Sequence, residues 1–477
     1  MNQIKAIFSH PINFVYLYLS VHFLIRVLFD NALQIDDAEQ IRLGQKLMLG
    51  YEIPQPPTYT WLSWIFFKIF GVNIFSLSLL KYTLIGLTFL YIKKISEKLF
   101  QNSEIKNLSI LSFLLMPSFA WHMHQGFTHT ILLSLAIMMS LYYLISVIHT
   151  QNYQNYIFLG MSIGIGLISK YSFIIFMIIF IGSLANKDYR EGILNKKIFI
   201  SFFLALIIAL PHLIWLIENF DQVFIQINNK LNISSDNGFI LKIESLVRLL
   251  TNMLAFITPL IFIFLLVLKI DALKNIENFY KPLFLNFYKF FLLVLVLLLF
   301  FFSMQSFKVR WLHPIMMIFP FLLLMLTDIN HKNMQKLKKI FYFSLTALTL
   351  LIVAVRLFQN TVAPDFGYAG RLNTPIFGTL QKLDKSLSNK KFKIKTDDRF
   401  LGAHLLIKYP ETPIQISGHF YNDFANSNLN CLIFKDNDSD LNVNFNKINN
   451  NQLLFWSPIG KKKYQILLEK ISWDKCL

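Results

Sequence analysis

The chain has 477 residues, 55% of them hydrophobic and 15% charged, with a mean hydropathy of +0.50. A soluble domain carries about 25% charged residues, so this composition excludes an ordinary soluble enzyme. The net charge of +18 collects in short basic clusters between apolar runs. That is the pattern of cytoplasmic loops facing anionic headgroups, and no basic stripe with stacking residues points to nucleic acid.

In chain order, the first apolar run covers 11–29 and follows one lysine, Lys5. No small-residue cleavage site comes after it, so it reads as a spanning helix rather than a removable signal. An acidic stretch follows, with Asp30, Asp36, Asp37 and Glu39, and the next long run, 74–92, ends in Lys93, Lys94 and Lys98. The bias of basic residues toward the cytoplasm then places the N-terminus inside and the first loop, 30–71, outside. Further runs at 108–121, 130–148, 156–168, 171–184, 198–216, 249–268, 284–302, 313–327 and 340–357 bring the expected count to about eleven spans. On this threading the basic linkers 187–197, 269–289 and 331–339 all fall inside.

After residue 358 the character changes. The segment 359–477 is polar, rich in Asn, Asp and Lys, with short apolar pieces at strand spacing. The pieces 391–395, 413–417, 431–434 and 452–456 read as strands, and 380–387 and 403–408 as helical. The chain therefore divides into a mainly α, polytopic membrane part, 1–358, and an extracytoplasmic α/β domain, 359–477. At about 115 residues that domain can bury a core of its own. Both cysteines, Cys431 and Cys476, lie in it, and either a disulfide or two free thiols fits. No internal repeat or two-fold symmetry of the kind seen in transporters is visible.

The first outer loop is the most informative stretch. Asp36 with Glu39 three residues later fits a capping box, opening a helix expected to run to Leu49 and to stop at Gly50. Ile41, Gly44, Leu47 and Met48 share one face, the signature of a helix lying on the membrane surface. Pro54, Gln55, Pro56 and Pro57 make a rigid turn, and Pro57 opens a second interfacial helix that Gly71 ends. Its Tyr59, Trp61 and Trp64 are expected at headgroup depth. Asp36 can be read as a plain cap, with Asp37 and Glu39 complementing the helix dipole. Alternatively, two adjacent carboxylates raise the proton affinity of one of them, which suits proton abstraction.

The acidic Asp36-Asp37-Ala38-Glu39, followed by Gly50-Tyr51, Gln55-Pro56-Pro57 and Trp61, resembles the bacterial dolichyl-phosphate-mannose-protein mannosyltransferase-like family. This group, which takes in the lipid A aminoarabinose transferases, has the GT-C fold. Further matching segments are Phe127-Thr128-His129-Thr130, Gly166 to Tyr171, Pro211-His212-Leu213-Ile214-Trp215 and Lys308 to Pro314. The resemblance covers roughly residues 30 to 330. It implies an integral-membrane, inverting glycosyltransferase of the inner membrane. The donor sugar would be carried on a polyprenyl phosphate and passed, on the extracytoplasmic face, to lipid A, another glycan or, less readily, protein. Asp36 would act as general base on the acceptor hydroxyl, with Asp37 assisting. The chain departs from the family at Pro54-Gln55, where aminoarabinose transferases carry an acidic–basic pair. It departs again at His129, where many relatives carry an aspartate.

A lipid-phosphate leaving group needs cations where its negative charge builds. The threading brings Lys170, Lys308 and Arg310 to the outer face, where basic residues are otherwise disfavoured. They suit phosphate contact, though Lys308 and Arg310 could equally snorkel at a helix end. Glu39, Gln55, Tyr59, His124 and His129 are further candidates for donor or acceptor contact. His122, His124 and His129 cluster in sequence and their His-x-His spacing could hold a divalent metal, but no nearby carboxylate is assured, so no metal or other cofactor is supported. Arg26 is expected to snorkel outward and His212 to bond between helices. Beyond substrate, membrane lipids are the partners the sequence calls for. The competing class is a transporter or flippase of lipid-linked substrates, whose ionisable residues would line a path at mid-membrane.

Overall fold

A computed structural model describes residues 10–30, 32–53, 55–231, 239–267, 278–302, 311–327, 331–366, 372, 376–377, 380–381, 392–422, 424, 429, 431–436, 453–456 and 464–471. The described chain is mainly helical and separates into two compact units. One comprises residues 1–20, 48–59 and 81–352, and the other residues 21–47, 60–80 and 353–477.

Among the described residues six helices are long and apolar enough to cross a membrane: Pro11–Leu28, Ile74–Leu99, Thr128–His149, Ile198–Glu218, Lys281–Leu298 and Asn333–Thr361. A seventh arises if Lys242–Ile257 and Leu260–Val267, bent by 74°, count as one broken span. The rest of the expected eleven are helical but short or interrupted. The run at 108–121 is a helix, Ser103–Ser112, then a 3-10 turn, Phe113–Leu115, then a π-helical turn, Ser118–His122. Pro117 separates the last two, and Pro259 sits at the bend of the broken pair. A proline supplies no N–H to the ladder, so apolar runs that look continuous by hydropathy break there. Hydropathy also missed the helix Phe220–Leu231 and the first ten residues of Phe239–Ile257, because their apolar residues lie on one face only.

In the first unit, Tyr153–Leu167 packs closely along Ile198–Glu218. A Cβ on Gly160 would fall 2.6 Å from the Ser201 carbonyl oxygen, and one on Gly164 would fall 2.8 Å from Ile208 Cβ. This is the small-residue contact by which apolar helices approach when no water drives them together.

The second unit holds the tail and much of the first loop. Its six-stranded sheet runs β3-β2-β1-β4-β6-β5, with β1 Lys393–Thr396, β2 Ile414–Ile416, β3 His419–Tyr421, β4 Cys431–Asp436, β5 Leu453–Trp456 and β6 Tyr464–Ile471. β1 pairs in parallel with β2 and β4, and the outer pairings are antiparallel. Four of these strands match the sequence expectation, whereas β3 and β6 were not anticipated. β3 closes a two-residue turn on β2, with Ser417 and Gly418 at φ of 46° and 84°, so that segment is a β-hairpin. The expected helix at 380–387 lies almost wholly outside the described residues. Cys431 is disulfide-bonded; Cys476, the chain's other cysteine, lies outside the described residues.

The loop helix is shorter than its pattern suggested. It spans Ile35–Leu43, with Gln34 at the N-cap and no capping side chain, and Gly44 closes it. Leu47 and Met48 are exposed beyond its end, so neither the capping box at Asp36 nor an extension to Leu49 occurs. Its Ala38 and Ile41 do not face a bilayer. Together with Leu33, Phe67 and Leu77 they join Leu401, Leu405, Ile394, Ile414 and Ile416 in one buried cluster. First loop and tail therefore share a hydrophobic core. The second loop helix, Thr58–Phe70, is ended by Gly71 at φ +77° as expected.

Candidate functional site

The acidic loop is built around buried charge. Arg26, late in the first helix, is 1% exposed and does not snorkel. Its Nη2 donates to Asp37 Oδ2 at 2.8 Å, and its Nη1 to Asp30 Oδ2 at 2.7 Å and the Ala32 carbonyl at 2.9 Å. Asp30 also accepts from Asn360 Nδ2 and lies 3.5 Å from Arg356 Nη2. Arg356 Nη1 in turn donates to His22 Nδ1 at 2.9 Å. Buried ions persist only when paired and hydrogen-bonded, and here two carboxylates meet two guanidiniums.

The two neighbouring aspartates consequently differ. Asp37 is 1% exposed and gripped by Arg26, whereas Asp36 is half-buried in the first turn of Ile35–Leu43. Glu39, one turn further, is also half-buried. Gln40 is buried and accepts from the Thr60 hydroxyl at 2.9 Å, tying the two loop helices together.

Ahead of the acidic helix the backbone is held from the tail. Ala32 N–H donates to the Leu372 carbonyl at 3.1 Å, and Leu33 N–H to His404 Nε2 at 3.0 Å. His404 sits on the tail helix Arg399–Lys408, fully buried between the rings of Phe377 and Phe400. Its Nδ1 is 2.8 Å from the Phe400 carbonyl, which can only accept. The proton is thus on Nδ1, and Nε2 is free to receive the Leu33 amide. Burial pushes its pKa down to about 4; the Phe400 bond opposes that shift and the Arg26 charge adds to it. His404 thus lies in the helix expected at 403–408, as a core residue.

The other unit holds the segments of the family resemblance other than the acidic helix and Trp61. Gly50 abuts Trp215, where any Cβ would fall 2.1 Å from the indole. His212, stacked on Trp215, lies 3.0 Å from the Leu49 carbonyl by Nδ1 and 3.2 Å from the Tyr171 hydroxyl by Nε2. Rather than the expected bond between helices, both its partners lie in the turns at Leu49 and Tyr171. Thr58 Oγ1 donates to the Ile168 carbonyl at 2.6 Å. Tyr59 is fully buried with its ring 5.7 Å from that of His129, not at headgroup depth. Lys170 is buried and donates to Thr130 Oγ1 at 2.7 Å. His313 bonds Ser118 through Nε2 and lies 3.4 Å from Ser134 Oγ by Nδ1, with Phe119, Phe127 and Phe256 around it. Segments far apart in sequence meet through hydroxyl, imidazole and aromatic contacts and through Lys170.

Of the remaining candidates, Gln55 is half-buried and Lys308 and Arg310 lie outside the described residues. His124 is fully buried, stacked on Tyr82 and edge-on to Tyr18, while His122 packs on Phe127. Among the described residues no group of three or more His, Cys, Asp or Glu could hold a metal. The sequence reading missed Arg26, Asp30, Arg356, Asn360 and His313 as members of these networks. The one available signal was a basic residue inside an apolar run, which Arg26 and Arg356 both are.

Residues 54–215 match the family described as dolichyl-phosphate-mannose-protein mannosyltransferase. Two lipopolysaccharide core galacturonosyltransferases of Rhizobium johnstonii are similar along most of their length. RgtB is 26% identical over 413 residues, 84% of this chain and 83% of its own. RgtA is 23% identical over 403 residues, 84% of this chain and 80% of its own. Among solved structures, ArnT from Cupriavidus metallidurans bound to undecaprenyl phosphate superposes with a TM-score of 0.63 at 11% identity, over 96% of this chain and 97% of that one. Its apo form gives the same score over 95% and 97%.

Proposed function

We propose that the chain is a membrane glycosyltransferase of the GT-C kind, related to the lipid A aminoarabinose transferases, and that it moves a hexuronic acid from a polyprenyl phosphate to a lipopolysaccharide-core saccharide. The observation that carries this reading is the likeness to two lipopolysaccharide core galacturonosyltransferases over 84% of the chain. The fold shared with a protein crystallised on undecaprenyl phosphate supports the lipid-linked donor. That the relatives are transferases favours transfer over transport.

In this reading Asp36 takes the proton of the acceptor hydroxyl. The acceptor oxygen attacks the anomeric carbon from the face opposite the phosphate, the new glycosidic bond forms, and the bond from that carbon to the phosphate oxygen breaks with inversion. Lys170, Lys308 and Arg310 neutralise the departing lipid phosphate, the step at which fixed cations contribute most. Asp37 keeps its salt bridge and fixes the turn on which Asp36 sits. Glu39, Gln55, Tyr59, His124 and His129 are assigned to substrate binding. The disulfide at Cys431 supports an extracytoplasmic tail, the oxidising side of a bacterial inner membrane.

The test uses the purified chain in nanodiscs with a lipopolysaccharide-core acceptor and three polyprenyl-phosphate donors bearing galacturonic acid, aminoarabinose or a neutral hexose. Transfer of the uronic acid alone is expected, and Asp36→Asn should lower its rate by about 10²–10⁴-fold with unchanged melting. Turnover of only a non-uronic donor would refute the sugar assignment. An undiminished rate in Asp36→Asn would refute the base.

A further inference from the structure

We propose that His404 of the tail is a positioning residue for transfer: it holds the start of the acidic helix through the Leu33 amide and so presents Asp36 in one orientation. The inference rests on the reading of Asp36 as the base, but it concerns a residue that neither the chemistry nor the family resemblance singles out.

Three observations carry it. The contact is specific in direction, because the Phe400 carbonyl fixes the Nδ1 proton and leaves Nε2 as the acceptor for Leu33 N–H. The ring cannot turn away, being fully buried between Phe377 and Phe400. The amide it holds lies two residues before the helix Ile35–Leu43 and three before Asp36. Ala32, one residue earlier, is fixed twice more, by its N–H to the Leu372 carbonyl and by its carbonyl to Arg26. The turn is thus held by Arg26 on one side and by two tail residues, Leu372 and His404, on the other. Beyond that turn Ala38 and Ile41 lie in the core shared with Leu401 and Leu405 of the same tail helix. A loop fixed at its entry and along its buried face leaves its half-buried carboxylate little freedom. Misplacement of a reacting group by about 1 Å can cost about 10²-fold in rate.

Two substitutions in the full chain separate this role from simple support. His404→Gln can still accept from Leu33 N–H at the place of Nε2, whereas His404→Leu fills the space without an acceptor. His404→Leu should lower kcat by about 10²-fold with KM for the lipid-linked donor within about twofold. His404→Gln should restore most of kcat. Hydrogen exchange, which needs no donor, should show the amides of residues 30–43 exchanging faster in His404→Leu than in the wild type and near wild-type in His404→Gln. Wild-type kcat or unchanged exchange of 30–43 in His404→Leu would overturn the proposal. So would equal kcat loss in both variants. If His404→Leu does not accumulate, fast exchange of 30–43 in His404→Gln overturns it and wild-type exchange with retained kcat upholds it. Failure of the base assignment reads differently: Asp36→Asn would keep its rate while the exchange response to His404→Leu persisted.

Discussion

The acidic loop and the cluster around His313 are both buried and both assembled from distant segments, yet they are held by different physics. Around Arg26 the contacts are between two aspartates and two arginines, with one neutral asparagine donating to Asp30, all removed from solvent. Around His313, Tyr59 and His212 they are between neutral rings, hydroxyls and carbonyls, with Lys170 donating to a threonine. Charged networks fix geometry firmly but are intolerant, because removing one partner strands another buried ion. Neutral networks lose one hydrogen bond at a time. The region proposed to carry the base is thus the one built to allow least movement.

The largest expected effect breaks the charged side of this contrast. Arg26→Leu removes a buried salt bridge from both Asp30 and Asp37 and should cost about 3–5 kcal/mol of stability, seen as lower melting in detergent and poor accumulation. The double variant Arg26→Leu with Asp37→Leu should recover part of that loss. If it melts no higher than the single variant, the pair is not what stabilises the turn.

A smaller effect comes from pH. His404 titrates at about 4 in the folded chain against about 6.5 when unfolded. Its neutral form is therefore the one the fold prefers, and the stabilisation is complete above about pH 6.5. It is lost as pH falls from about 6.5 to 4, where the unfolded state binds the extra proton, with a total on the order of 3 kcal/mol. Melting of the wild type across that range should fall more steeply than melting of His404→Gln. Parallel profiles would remove His404 from the account.

The smallest effect lies on the neutral side. Ser118→Ala removes one hydroxyl from His313 and should cost about 1 kcal/mol in the same melting assay. A loss as large as that of Arg26→Leu would erase the distinction drawn between the two regions.

What was legible in the sequence follows from which interactions are local. The apolar runs, the four recognised strands, the Gly71 helix stop and the acidic character of the first loop all depend on neighbours within a few residues. Hydropathy and side-chain period report those directly. The same rules failed at Pro117 and Pro259, where composition stayed apolar while the backbone ladder was interrupted, and at Phe220–Leu231, whose apolar face is one-sided. The candidate site was legible as residue types and not as partners. Asp36 and Asp37 look equivalent in sequence, and their difference in burial appears only once Arg26 is seen to turn inward.

The sequence by itself determined that this is a polytopic membrane protein with a polar α/β tail and an acidic first loop, because burial in lipid and strand alternation are written in consecutive residues. Only the tertiary structure decided that this loop is anchored in the tail, through the Leu33–His404 bond across 371 residues and the Asp30–Asn360 bond across 330. A single buried histidine or asparagine carries no periodic signal, and its bonding partner is chosen by packing alone.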